Sequence, residues 1–169
     1  MKLRRVSVMA ILIAVMISFT AVSTPADDGN KQSVTVSFGA GLNTAQPGNS
    51  ANHHVIPTRI KVKTGGVVNF VVAGFHWIFV YNPGKRAEDV VVPASGTFIN
   101  DMNGLYFGGI NPTTPTPPAG SVIQPSAAVN RVESVSFSQP GTYLVICNVR
   151  GHFLDGMFAY IEVSDGDDD

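Results

Sequence analysis

The sequence predicts an all-β chain folded as a Greek-key sandwich or barrel. Three observations lead there. Several short stretches alternate polar and apolar residues with a period of two, as half-buried strands do. Seventeen glycines and eleven prolines supply many turns. No segment of ten or more residues combines a helical apolar period with caps.

The first segment stands apart from the fold. MKLRRVSVMAILIAVMISFTAVSTPA opens with Lys2, Arg4 and Arg5, continues through an apolar run and ends in small residues. That layout predicts a secretory signal peptide over residues 1–26, cleaved after Ser23 or Ala26. An uncleaved anchor is the alternative. The run from Val6 to Val22 is short for a membrane span and is not followed by charges. Export places the protein in the periplasm or outside the cell. One domain is expected over residues 27–164, with a disordered acidic tail at 165–169.

The strands follow in order. SVTVSF (33–38) and RIKVK (59–63) alternate cleanly. Thr64-Gly65-Gly66 turns the chain into VVNFVVAG, and HWIFVYN (76–82) ends at Asn82-Pro83-Gly84. VVVP (90–93) is a short apolar candidate. RVESVSFSQ (131–139) suggests Val132, Val135 and Phe137 as inward residues, with a register shift near Ser134. Pro140-Gly141 leads into TYLVIC, and MFAYIEV (157–163) closes the fold. Two stretches read as loops: 43–52, polar and small, and 101–125, dense in proline.

Charge narrows the function. Without Lys2, Arg4 and Arg5 the eleven basic side chains fall to eight against twelve acidic ones, a formal charge of −4. No basic patch points to nucleic acid. No nucleophile elbow, phosphate loop or catalytic carboxylate pair is visible, so no enzyme activity is expected.

The chemistry gathers at CNVRGHFLDGM, residues 147–157. It holds the only cysteine, with Cys147, His152 and Met157 separated by four residues each. A lone cysteine in an exported protein has no internal disulfide partner. It is either a buried inert thiol or a metal ligand. A copper ion that exchanges electrons with little ligand movement needs a thiolate, two imidazoles near one plane and a weak thioether. One strand–loop–strand unit can supply Cys, His and Met. The second imidazole must come from elsewhere, and His76, in an apolar setting, is the best candidate. Alone it could equally be a satisfied core histidine. His53 and His54 read as two solvated side chains, or as a second metal site or an alternative ligand.

PGTYLVICNVRGHFLDGMFAYIEV resembles the C-terminal signature of the cupredoxins, the blue copper proteins, and VIPTRIKVKTGGVVNFVVAGFHWIFVYNPG resembles their first-histidine region. The Cys-x4-His-x4-Met spacing is most similar to rusticyanin-like members. The resemblance implies a Greek-key β-barrel or sandwich of about eight strands. It implies one Cu(I)/Cu(II) ion held by His76, Cys147 and His152 with Met157 axial, and one-electron transfer. Many cupredoxins carry Asn after the first histidine, where this chain has Trp77. Asn148 is a possible substitute in tying the ligand loops together.

The leading expectation is an electron carrier whose redox partner, a cytochrome or a copper or haem oxidoreductase, docks near His152. Arg150, Phe153 and Leu154 would flank that contact, and Phe75, Trp77, Phe153 and Met157 would exclude water from the metal. A copper chaperone or copper-resistance protein is one alternative. A red-copper-like protein with Glu88, Asp89 or Glu133 as ligand is another. A third is a zinc-binding or metal-free sandwich.

Overall fold

A computed structural model describes residues 32–40, 52–113 and 129–165. The expected signal peptide, all of the 43–52 loop except Asn52, the 114–125 part of the proline-rich segment and tail residues 166–169 lie outside the described residues. Asp165, at the edge, accepts a hydrogen bond from the Thr64 hydroxyl at 2.9 Å.

Nine strands are present among the described residues: β1 Ser33–Gly39, β2 Val55–Ile56, β3 Arg59–Lys63, β4 Val67–Ala73, β5 Ile78–Tyr81, β6 Leu105–Gly108, β7 Asn130–Ser136, β8 Gly141–Cys147 and β9 Phe158–Ser164. They form two mixed sheets, ordered β2-β1-β4-β7 and β3-β9-β8-β5-β6. β1 runs parallel to β4 and β3 parallel to β9; the other pairings are antiparallel. The expected all-β sandwich is therefore the observed one.

The core between the sheets follows from strand parity. Val36 and Phe38 of β1, Val68, Phe70 and Val72 of β4, and Val135 with Phe137 at β7 face Ile60, Val62, Ile78, Val80, Tyr143, Val145, Ala159, Ile161 and Val163. The five-stranded sheet is buried on its other face too. There Phe79, Tyr81, Leu144 and Ile146 pack with Val90, Ile99 and Phe153 from the segments that cross over it. Burial on both faces explains why IFVY and TYLVIC read as unbroken apolar runs while RIKVK alternates.

Several sequence expectations are corrected. VVVP forms no strand. The Val91 N–H bonds to the Asp101 carboxylate at 3.0 Å rather than to a neighbouring strand. Part of the expected 101–125 loop is instead strand β6, which completes the β5 edge. Val132 points to solvent, 60 % exposed. The β7–β4 ladder runs without a shift from Asn130 to Ser136, so the inward positions are 133 and 135. A polar residue occupies one of those slots because it brings its partner. Glu133 and Arg131 are an ion pair with side chains only 5 % and 6 % exposed. The Arg131 guanidinium also donates to the carbonyls of His76 and Ile110 at 3.1 and 2.9 Å. The Glu133 carboxylate accepts from the Ile110 N–H at 3.1 Å.

This pair predicts a stability effect. Arg131→Ala strands a buried carboxylate, which should cost about 3–5 kcal/mol in urea unfolding. A loss below about 1 kcal/mol would mean that water already solvates the pair.

Candidate metal centre

Strand parity brings the donors together. In β8, Tyr143, Val145 and Cys147 face the intersheet core. In β9 the same row continues backward from Ala159 to Met157. The Cys147 N–H donates to the Met157 carbonyl at 3.0 Å, so the two residues sit opposite one another at the end of the β8–β9 ladder. On the other side of β8, Ile78 pairs with Cys147. His76 lies two residues before Ile78 and shares its face. Three adjacent strands thus deliver His76, Cys147 and Met157 to one end of the sandwich.

His152 arrives differently. The 148–156 segment, expected as a plain loop, contains a five-residue helix α1, Arg150–Leu154. Its closing bonds include the Met157 N–H to the His152 carbonyl at 2.9 Å. That turn swings the His152 ring back over the strand ends. The three donor atoms then form a small triangle. His76 Nδ1 lies 3.0 Å from His152 Nδ1, and the Cys147 sulfur lies 3.7 and 3.6 Å from them. The point equidistant from all three corners of such a triangle is about 2.0 Å from each, a metal–nitrogen bond length and slightly inside metal–sulfur. Among the described residues these are the histidine, cysteine and carboxylate side chains whose ligand atoms gather closely enough to hold an ion.

The electrostatics suit a cation. Burial, then the neighbouring His152 and His53, hold the His76 imidazole down to about 3. Burial and His53 hold His152 down to about 4. Both rings are therefore neutral donors. Burial pushes the Cys147 thiol up to about 12, although the backbone N–H groups of Trp77 and Val149 donate to its sulfur. A bound divalent ion supplies the positive charge that a buried thiolate lacks. Two imidazoles and one thiolate in a near-trigonal set fit copper, and the donors present therefore fit the group the sequence implies.

The ligand geometry is held from outside. The remaining N–H of His76 donates to the Ala73 carbonyl. The space for that ring exists because residue 39 is glycine. A Cβ there would lie 2.2 Å from His76 Nε2, and its φ of +84° already disfavours other residues. The edge of Phe38 packs on His76, ring centres 5.9 Å apart. Asn148 is fully buried. Its backbone N–H donates to the Trp77 carbonyl at 2.6 Å, and its side chain exchanges two hydrogen bonds with Asn100. It ties the Cys147 segment to the His76 segment through backbone, and to the 99–100 segment through side chain. The Trp77 side chain is free for another task, donating to the Gly109 carbonyl at 2.7 Å.

Other expected placements change. Phe153 packs on the outer face of the five-stranded sheet, and Trp77 lies against that same cluster. The apolar wall beside Cys147 and Met157 comes instead from residues such as Phe38 and Val149. Phe75 is 39 % exposed and stacks on Phe98. Glu88 and Asp89 pair with Arg86, and Glu133 pairs with Arg131, so none joins the donor triangle. His54 is exposed as expected, but His53 is buried and lies flat on His152. Sequence reading missed Gly39, which carries no periodic signal, and named His53 without placing it against His152.

Comparison with known proteins gives the following. The chain's solved structural neighbours are cupredoxins. Auracyanin from Roseiflexus castenholzii, reduced with dithionite, is 16 % identical with a TM-score of 0.46, over 78 % of this chain and 96 % of its own. Reduced rusticyanin is 19 % identical with a TM-score of 0.43, over 78 % of each chain. Plastocyanin from Dryopteris crassirhizoma is 16 % identical with a TM-score of 0.42, over 78 % of this chain and all of its own. No protein-family model and no curated protein sequence matches.

The packing around His76 yields a test. Gly39→Ala drives a methyl group into the ring, so any ion bound by the triangle should be held 10–100-fold more weakly. Titration with Co(II) as a spectroscopic probe measures this. An unchanged dissociation constant would mean that His76 is not held by this contact.

Proposed function

We propose that this chain is an exported cupredoxin that carries single electrons between redox partners through one copper ion. His76, Cys147, His152 and Met157 are the residues that would hold it. The observation that carries the reading is the donor triangle: one sulfur and two neutral imidazole nitrogens within 3.7 Å of each other. Copper supplies the one-electron couple between its cuprous and cupric states.

The chain's own residues do the rest. The ends of β5, β8 and β9 hold three of the four ligands on a rigid sheet, which limits their movement when charge changes. Met157 is fully buried, opposite Cys147, from where its thioether would complete the set. Phe38 and Val149 keep the sulfur side dry, which favours the lower charge state. His152 is only half-buried and is the ligand nearest solvent. Leu154, 57 % exposed, follows two residues later on α1. The Arg150 guanidinium is tied down by the carbonyls of Pro93 and Ala94 at 2.7 and 3.1 Å, so that flank is mainly apolar. A small apolar contact of this kind suits a cytochrome or a copper or haem oxidoreductase that must dock and leave quickly.

Export rests on the N-terminal segment of the sequence. Among the described residues no helix is long and apolar enough to cross a membrane.

Cu(II) added to the purified protein should bind at one ion per chain and give an intense band towards the red end of the visible spectrum, with a matching EPR signal. Cys147→Ser should abolish the band. A colourless wild-type complex, or an unchanged band in the variant, would end this reading, and irreversible electrochemistry of the loaded protein would favour a chaperone. Leu154→Glu should slow electron exchange with the partner while leaving the absorption spectrum alone; equal rates would remove the docking assignment.

A further inference from the structure

The sequence leaves His53 as either a solvated loop residue or a metal ligand, and the structure buries it at 9 % exposure against the half-buried His152. Its ring lies on the His152 ring with centres 3.7 Å apart and planes 22° from parallel. It meets the His76 ring edge-on at 6.2 Å and 86°. Its Nδ1 lies 2.6 Å from Asp155 Oδ2, across 102 residues of chain. Asp155 caps the end of α1, its backbone N–H reaching the Gly151 carbonyl at 3.0 Å. On the other side, His53 immediately precedes His54, whose carbonyl accepts the Gly39 N–H at 2.8 Å, and β2, which pairs with β1. His53 therefore joins the edge of the four-stranded sheet to the helix that carries His152.

From this juxtaposition we infer that His53 is a positioning residue for His152: stacked on the ring and anchored by Asp155, it sets the plane of that ligand and covers the solvent side of the donor triangle. The inference rests on the reading of the triangle as a metal site. Its physical basis is the difference between the two histidine ligands. His76 is enclosed by Ala73, Gly39 and Phe38 on the sheet. His152 sits on a five-residue helix outside the sheet, where its own element gives the ring little lateral support. A stacked ring restrains tilt without competing for Nδ1, the atom that faces the Cys147 sulfur at 3.6 Å. Asp155 in turn fixes the stacking ring, because a bond between a carboxylate and imidazole N–H is directional. A ligand's outer contacts of this kind commonly alter metal affinity 10–100-fold.

The test uses the full chain with His53→Ala, His53→Phe and Asp155→Asn. In the metal-free protein, NMR reads the His152 ring protons. Loss of the overlying ring should move them downfield in His53→Ala and much less in His53→Phe. With Cu(II) as the probe, His53→Ala should bind about tenfold more weakly, with a shifted reduction potential and an altered copper hyperfine splitting. His53→Phe should recover most of these properties, and Asp155→Asn should fall between. Urea unfolding of each variant checks that the sandwich is intact, and only folded variants are compared. His152 ring protons that do not move in His53→Ala overturn the inference, as do a wild-type hyperfine splitting and potential in that variant or a His53→Phe protein that behaves like His53→Ala. Failure of the wild type to bind Cu(II) overturns the metal-site reading instead, and the metal-free NMR result then decides the stacking role alone.

Discussion

A thiol sulfur and two imidazole nitrogens packed within 3.7 Å of one another, two of the three residues buried and His152 half-buried, are the arrangement around which the rest of the molecule is ordered. Each group is pushed by burial towards its neutral form, the thiol up to about 12 and the imidazoles down to about 3 and 4. As neutral groups they pack without a large charge penalty. As a thiolate with two lone pairs aimed at a common point they form a strong trap for a soft cation. The same burial that makes the empty arrangement tolerable gives the loaded one its strength.

The sandwich serves this arrangement by being rigid on both sides of one sheet. β8 lies between β5 and β9, and its outward residues Leu144 and Ile146 are covered as completely as its inward ones. The strand that ends at Cys147 therefore has no soft face on which to move. The irregular segments that connect the strands are held by buried polar groups with partners. Asp101 accepts bonds from Lys85, Val91 and Asn103 at 2.7–3.0 Å, Asn148 exchanges bonds with Asn100, and Arg131 reaches the His76 carbonyl. Apolar contacts alone would let these loops slide. Directional bonds in a dry setting hold them in register.

The parts of the fold that were legible in the sequence are those where one residue's neighbours along the chain decide its fate. SVTVSF, RIKVK and MFAYIEV alternate because one side of each is core, and the structure has strands there. The inference failed where tertiary partners override the local pattern. Val132 has an inward identity but an outward position, because the Arg131–Glu133 pair takes the inner slot at 133. VVVP has strand composition but no strand to pair with. Leu105–Gly108 lies next to a proline-rich stretch and becomes a strand because β5 offers it an edge. Phe153 was expected beside the metal ligands, yet it sits on the opposite face of the sheet, since the helical turn rotates it away from His152.

The sequence by itself determined the donor types and the Cys-x4-His-x4-Met spacing, because both are local properties of the chain. It also singled out His76, by chemistry rather than by position. Only the tertiary structure decided that β5 lies beside β8, that Gly39 leaves room for the His76 ring, and that His53 comes to rest on His152. Those facts depend on which segments become neighbours across 37 to 99 residues of chain. That choice is made by the closing of the whole core, and no short stretch of residues encodes it.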